Sequence, residues 1–225
     1  KAETAADTAA DKLRRLLLAF DASGDATLSD LARDAGLPKS TTHRLLATLQ
    51  RHDLVERDGQ SRYRLGFRAW LLGQRARPYQ SLAHAAQPHL DALAAFSGES
   101  AFLTVAEQVY AVCVASADSP SLMRLSLRLG SLTPMHLGAS NRILMASLPP
   151  ADRALVARHW VQDGADRAAL EDDLRSIRTA GYVVTSSQLT SGATAIAVPV
   201  LDEKGALIAG LSIGGPTDRF DETVA

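Results

Sequence analysis

The run Lys39-Ser40-Thr41-Thr42-His43-Arg44 places two cations, an imidazole and three hydroxyls in six successive positions. Such a set donates hydrogen bonds, and its natural acceptors are phosphates and the edges of bases. A second basic pair, Arg62 and Arg64, follows at alternating positions. Farther along, His136, Gly138, Ala139, Ser140 and Arg142 gather an imidazole, a hydroxyl and backbone freed by glycine. With Ser140 as nucleophile and His136 as base, that group could hydrolyse an ester. GASNR departs from the G-x-S-x-G nucleophile elbow at its last position, where Arg142 stands, so Ser140 reads better as a helix cap and His136 as a residue orienting the loop.

The first set belongs to the opening turn of a helix. In LSDLARDAG, residues Leu28, Leu31, Ala32 and Ala35 recur on one face, Thr27 with Asp30 forms an N-cap, and Gly36 supplies the stop. Pro38 stands at or near the start of the next helix, where its missing N–H is tolerated. There Thr42, Leu45, Leu46 and Leu49 form the inward stripe, turning Lys39, Ser40, Thr41, His43, Arg44, Ala47 and Thr48 outward. Arg44 shares a face with Ser40 and Thr41. It can bond bidentately to a guanine, while the two hydroxyls suit phosphate or a close base. LVERDGQSRYRLGF then alternates about Asp58-Gly59 as a hairpin, with Arg62 and Arg64 outward, where a wing meets the DNA backbone or minor groove. Helix, short turn, helix and basic hairpin make a winged helix-turn-helix. The competing reading, a solvated helix pair in an ordinary bundle, explains neither the hydroxyl-basic turn nor the arginines of the hairpin.

A helix from about Thr4 to Phe20, carrying Leu13, Leu16, Leu17 and Phe20 and broken by Gly24, precedes this pattern. Gly66–Arg77 reads as a helix with Trp70, Leu71 and Leu72 as its apolar part, and the domain boundary falls close to Pro78, giving segments 1–77 and 78–225. Next comes SLAHAAQPHLDALAAFSG, in which Pro88 should bend or restart a helix. Strand-like AFLTVAE, VYAVCVAS and MRLSLRL follow, then helices over Ser140–Ser147, Ala151–Gln162 and Asp166–Ala180. GYVVTS, TAIAVPVL and ALIAGLSIG close the chain as strands, the last two joined across Asp202–Gly205. The class is α+β, the second domain built on an antiparallel sheet.

With 225 residues, 46% of them hydrophobic, the chain can bury the cores of two domains. The net charge of −1 hides an asymmetry: up to Arg77 there are 14 Lys and Arg against 10 Asp and Glu, and beyond it 10 against 15. Only the front half therefore suits an anionic partner. The single Cys113 excludes a disulfide framework and fits a reducing cytosol; it reads as an inert thiol in an apolar strand. No apolar run approaches the ~18 residues of a membrane span, and no secretory signal opens the chain. A cytoplasmic location is expected. The chain opens at Lys1 rather than Met, and FDETVA looks like the first turn of another helix, so both ends are expected to continue. His84 and His89 are five apart, off the spacing of a helical metal pair. No Cys/His cluster and no phosphate-cradling glycine motif occur, so neither metal nor cofactor is expected. Glu171-Asp172-Asp173 reads as a solvated helix face.

LARDAGLPKSTTHRLLATLQRHDLVER with YRLG, then RLGSLTPMH, GYVV and IAVPVLDEKGALIAGLSIGGP, resemble in order and spacing the IclR family of bacterial transcription regulators over nearly the whole chain. The resemblance implies a homodimer or tetramer that binds a palindromic operator, more commonly as a repressor, and carries a GAF-like effector-binding domain. The N-terminal domains would be paired through the Gly66–Arg77 helix and contacts near the first helix. In the family a small acid sits between the loop after the Pro-x-His segment and the C-terminal strands. Here those positions are Gly138, Ala139 and Ser140, faced by Thr185, Ala195, Ser212 and Gly214. The family often has an acidic residue at Thr185, cysteine at Ala195, serine at Gly214, Gly-Lys at Asn141-Arg142, and a β-branched apolar residue at Thr42. The pocket should therefore be wider and less polar, favouring an aromatic or phenolic acid over a compact oxoacid. The alternatives are a repressor without an effector and a Ser140/His136 hydrolase.

Overall fold

The computed structural model describes residues 7–21, 25–75 and 77–220, and contacts divide the chain into two units, residues 1–80 and 81–225. In the first unit α1 (Ala9–Leu18) begins on Thr8 and α2 (Leu28–Asp34) on Thr27, each in a capping box completed by Asp11 or Asp30. A 3-10 turn, Ala19–Asp21, ends the first helix; Thr4 and Gly24 lie outside the described residues. Gly36, at φ +61, ends α2 in the left-handed conformation that suits glycine. Pro38 is the N-cap of α3 (Lys39–Arg51), with no side-chain cap. Leu16, Phe20, Leu31, Leu46, Leu49, Val55 and Tyr63 close one core beneath these helices. Thr42 is fully buried with them, and its hydroxyl donates to the Pro38 carbonyl at 3.1 Å.

Strands β1 (Val55–Arg57) and β2 (Tyr63–Leu65) pair antiparallel, Arg57 opposite Tyr63. Residues 58–62 are thus left to make the connection, too many for a two-residue turn on Asp58-Gly59. Asp58 organises the loop, its Oδ1 accepting the N–H groups of Gln60 at 2.9 Å and Arg62 at 2.8 Å. These bonds, the one from Arg62 first, hold its carboxyl below the usual range. Ser61, not Gly59, takes the positive φ. Gly66 is required for another reason, because any Cβ there would collide with the Asp53 carbonyl. It caps α4 (Phe67–Gly73), on which Phe67, Trp70, Leu71 and Leu72 are all exposed.

The second unit is a six-stranded antiparallel sheet of β3 (Ser100–Glu107), β4 (Tyr110–Ala117), β5 (Leu132–Pro134), β6 (Val183–Ser186), β7 (Ala193–Leu201) and β8 (Leu207–Pro216), in the order β5-β4-β3-β8-β7-β6. Helix α5 (Arg77–Ser97) packs Leu90 and Ala94 against one face. It continues through Pro88 rather than restarting there; the proline is exposed, and Leu82, Ala86, Leu90 and Leu93 on both sides pack on the sheet. Helices α6 (Ala139–Ser147), α7 (Pro150–Trp160) and α8 (Gly164–Ala180) cover the other face around Met135, Ile143, Val156, Leu174 and Ala197. Glu171, Asp172 and Asp173 are not merely solvated: they pair with Arg153 and Arg178, with Arg175, and with Arg142. The run MRLSLRL forms no strand, and β4 takes Leu132–Pro134 as its edge partner instead. Leu125 and Leu127 alternate inward while their neighbours stay exposed, so the amphipathic pattern is real but covers a cavity rather than joining the ladder. Residues 221–225, most of the final helix-like FDETVA, lie outside the described residues.

Candidate nucleic-acid face and ligand pocket

Helix α3 starts unlike its two predecessors. It has no side-chain cap and no acidic residue in its first turn, and Lys39 sits against the positive end of the helix dipole. Lys39, Ser40, His43 and Arg44 are exposed and Thr41 half-exposed. None of these five side chains makes an ion pair or hydrogen bond to another described residue. The expected outward face is therefore assembled, with free N–H groups at its head. The hairpin differs. Arg62 lies 3.3 Å from Asp58 and 3.7 Å from Asp25, and Arg64 lies 3.0 Å from Glu56 across the strands. Arg57, not singled out from the sequence, is exposed with its guanidinium 5.4 Å from the centre of the Tyr63 ring.

Six of the seven expected pocket residues meet at one cavity on the α6 side of the sheet: Gly138, Ala139 and Ser140 from the start of α6, Thr185 from β6, Ala195 from β7 and Ser212 from β8. Strand register explains the floor, since Thr185 pairs with Ala195, Ala195 with Gly214, and Ser212 with Phe102. Gly214 is not itself in the wall. A Cβ there would lie 2.7 Å from Leu125 Cδ2, so its bareness lets Leu125 descend into the cavity. Small residues on β7 and β8 make room that Leu125 fills, and the cavity is about 80 Å³. No lining residue is charged. Phe102, Leu125, Leu127, Gln188 and Leu189 are among the other residues of its wall. Only the alternation of Leu125 with Leu127 hinted at any of them.

Helix α6 approaches this closely because Gly210, Ser212 and Gly214 share the sheet face beneath it, Gly210 leaving just room for Ile143 and the Ser140 carbonyl. Gly138, at φ +85 and against Leu189, needs to be glycine. Asn141 is a fastening, its amide donating to Thr133 Oγ1 and the Pro134 carbonyl, both at 2.9 Å.

Ser140 and His136 form no catalytic pair. The Ser140 hydroxyl is 2.5 Å from that of Ser212, while His136 stacks on Trp160 with ring centres 5.5 Å apart and lines a different cavity. Burial, with Arg142 nearby, lowers the pKa of His136, and its Nδ1 has no partner among the described residues. Cys113 is buried, its thiol pushed up to about 11 by desolvation, as befits an inert core residue. No group of three or more potential metal ligands gathers among the described residues, and no described helix is long and apolar enough to cross a membrane.

Comparison with known proteins converges on both units. The model of the IclR helix-turn-helix domain matches residues 9–59, and that of the bacterial transcriptional regulator IclR C-terminal domain matches residues 76–224. The chain is 29% identical to the acetate operon repressor of Salmonella typhimurium, over 90% of this chain and 77% of that protein. It is 28% identical to the transcriptional repressor IclR of Escherichia coli, over the same shares. Among solved structures, an IclR homologue from Microbacterium hydrocarbonoxydans complexed with 4-hydroxybenzoate aligns with TM-score 0.79 at 29% identity, covering 95% of this chain and 91% of that one. An IclR-type regulator from Alicyclobacillus acidocaldarius aligns with TM-score 0.76 at 26% identity, over 96% and 90%. With the family's helix-turn-helix in front and its C-terminal regulator domain behind, the chain belongs to the IclR family of bacterial transcriptional regulators.

Proposed function

We propose that the chain is a repressor whose affinity for a palindromic operator is set by an organic acid, an aromatic one by preference, held in the α6 pocket. The observation that carries this reading is the convergence of Gly138, Ala139, Ser140, Thr185, Ala195 and Ser212 on one cavity whose donors are backbone N–H groups and neutral hydroxyls. A carboxylate takes its bonds from the amides opening α6, aided by the helix dipole. The ring packs on Phe102, Leu125 and Leu127. The 4-hydroxybenzoate held by a relative at 29% identity supports that class of acid.

Residues 1–77 form the DNA-binding part and residues 78–225 the effector-binding part in this reading. Lys39, Ser40, Thr41, His43 and Arg44 face the major groove, Arg44 reading a base, while Arg62 and Arg64 meet the backbone or minor groove. Phe67, Trp70, Leu71 and Leu72, exposed on α4, suit burial against a second copy in a homodimer or tetramer. The protein works in the cytoplasm, where its operator is, and effector and operator affinities are linked reciprocally.

Selection of bound duplexes from a random pool by the full chain recovers the operator. Fluorescence anisotropy should then show release by 4-hydroxybenzoate, and Ala195→Leu, which overfills the cavity, should abolish release without weakening DNA binding. Operator affinity indifferent to the acid would favour the effector-independent repressor, a reading that the cavity's small volume recommends.

A further inference from the structure

The pocket as it stands is too small for the acid it is proposed to hold. An apolar cavity of about 150 Å³ is what accommodates a benzene ring, and this one measures about 80 Å³. A second, more open cavity of about 310 Å³ lies beside it, lined by His136, Leu137, Arg142, Val161, Asp166, Leu170 and their neighbours. One residue lines both: Gln188. Its amide borders both, held by a hydrogen bond in which Gly138 N–H donates to Oε1 at 3.2 Å.

We infer that Gln188 is the gate of the effector pocket, and that its displacement joins the two cavities and decides whether an acid with an aromatic ring can enter. Gln188 sits on the exposed loop between β6 and β7, so its side chain turns into water with no new burial of its polar atoms. The loop is built to keep its base while its tip moves. Ser187 N–H donates to the Ala193 carbonyl at 2.8 Å, Gly192 N–H to Ser187 Oγ at 3.1 Å, and Ala193 N–H to the Thr190 carbonyl at 3.2 Å, leaving 188 and 189 at the apex. Ser187 holds φ +57, a strained conformation for a residue with a side chain, immediately before the gate. The opened wall is not sign-selective by bulk charge, since Arg142 and Asp166 face the outer cavity together and Arg142 is already paired with Asp173 at 2.6 Å. Gating therefore discriminates by size. An aromatic acid must break the Gln188–Gly138 bond to enter, and its apparent affinity is reduced by that closed fraction.

This inference rests on the effector reading above. Calorimetric titration of the full chain with 4-hydroxybenzoate tests it in three proteins. Gln188→Ala removes both latch and wall, so the acid should bind roughly fivefold tighter, the factor one competing neutral hydrogen bond is worth. Gln188→Glu holds the Gly138 N–H by a stronger, charge-assisted bond and repels the acid, so binding should weaken roughly tenfold. Operator affinity without acid should be the same in all three. Equal acid affinities, or both variants shifted in the same direction, would overturn the gate while leaving the pocket. Absence of binding in all three, shown folded by circular dichroism, would overturn the effector reading and the gate with it.

Discussion

Two neighbouring helices of the first unit begin in opposite ways. Helix α2 opens on a threonine whose hydroxyl takes the N–H of Asp30, and that aspartate returns a bond to the Thr27 N–H. The positive end of its dipole is neutralised, and the Thr27 bonds hold the Asp30 carboxyl below its ordinary range. Helix α3 opens on a proline, with no cap, no acid and a lysine at its first position. Taken alone such a start is unfavourable, since a cation at the N-terminus opposes the dipole. The same chain writes capping boxes at α1 and α2, so their lack at α3 leaves donors for an anion that arrives from outside. The hairpin is a third case, carrying cations that are already answered by Asp58, Asp25 and Glu56.

The most severe way to break this contrast is to make α3 begin like α2. Lys39→Asp should raise the melting temperature slightly, through a dipole interaction of about 0.5 kcal/mol, while operator affinity falls roughly tenfold or more as a phosphate partner is replaced by a repelling charge. A thermal melt paired with anisotropy reads both. If DNA binding survived with the added stability, the open head of α3 would have no role in holding phosphate. Arg44→Ala removes the proposed base reader without touching the helix start. It should cost about 1–3 kcal/mol at one base pair and relax specificity there, measured across single-substitution operators. An unchanged preference would take Arg44 out of base reading.

These contrasts were only partly legible in the sequence. Leu45, Leu46 and Leu49 at helical spacing fixed which side of α3 faced out, and Thr27 with Asp30 fixed its predecessor's start, because periodicity and capping are local. The pocket residues on strands came from the family resemblance rather than from any pattern in the residues, and strand register accounts for them afterwards by setting Thr185 beside Ala195 and Ala197 beside Ser212. What closes the pocket was not legible. Leu125 and Leu127 show the period of a strand, but whether such a segment finds a ladder partner depends on β5 taking the edge of β4 first. Gln188 belongs to a loop with no pattern at all. The ion pairs of Arg62 and Arg64 were hidden for the same reason: outward alternation says a cation is exposed, not that Glu56 stands opposite.

Those pairs set the smallest effect. Arg62 reaches DNA only by sharing or leaving Asp58, whose carboxylate is fixed by two backbone N–H groups and cannot follow it. The positive potential that Arg62 offers a phosphate is thus partly cancelled before contact, unlike that of Arg44. Arg62→Ala should lower affinity by a few-fold, evenly across operator sequences, and reduce the slope of log affinity against log salt by less than about one. A salt titration of the variant beside the parent measures it. A full unit of slope would mean that Arg62 abandons Asp58 on binding and that the hairpin is as open to phosphate as the head of α3. A loss confined to one base pair would instead make the wing a reader of sequence.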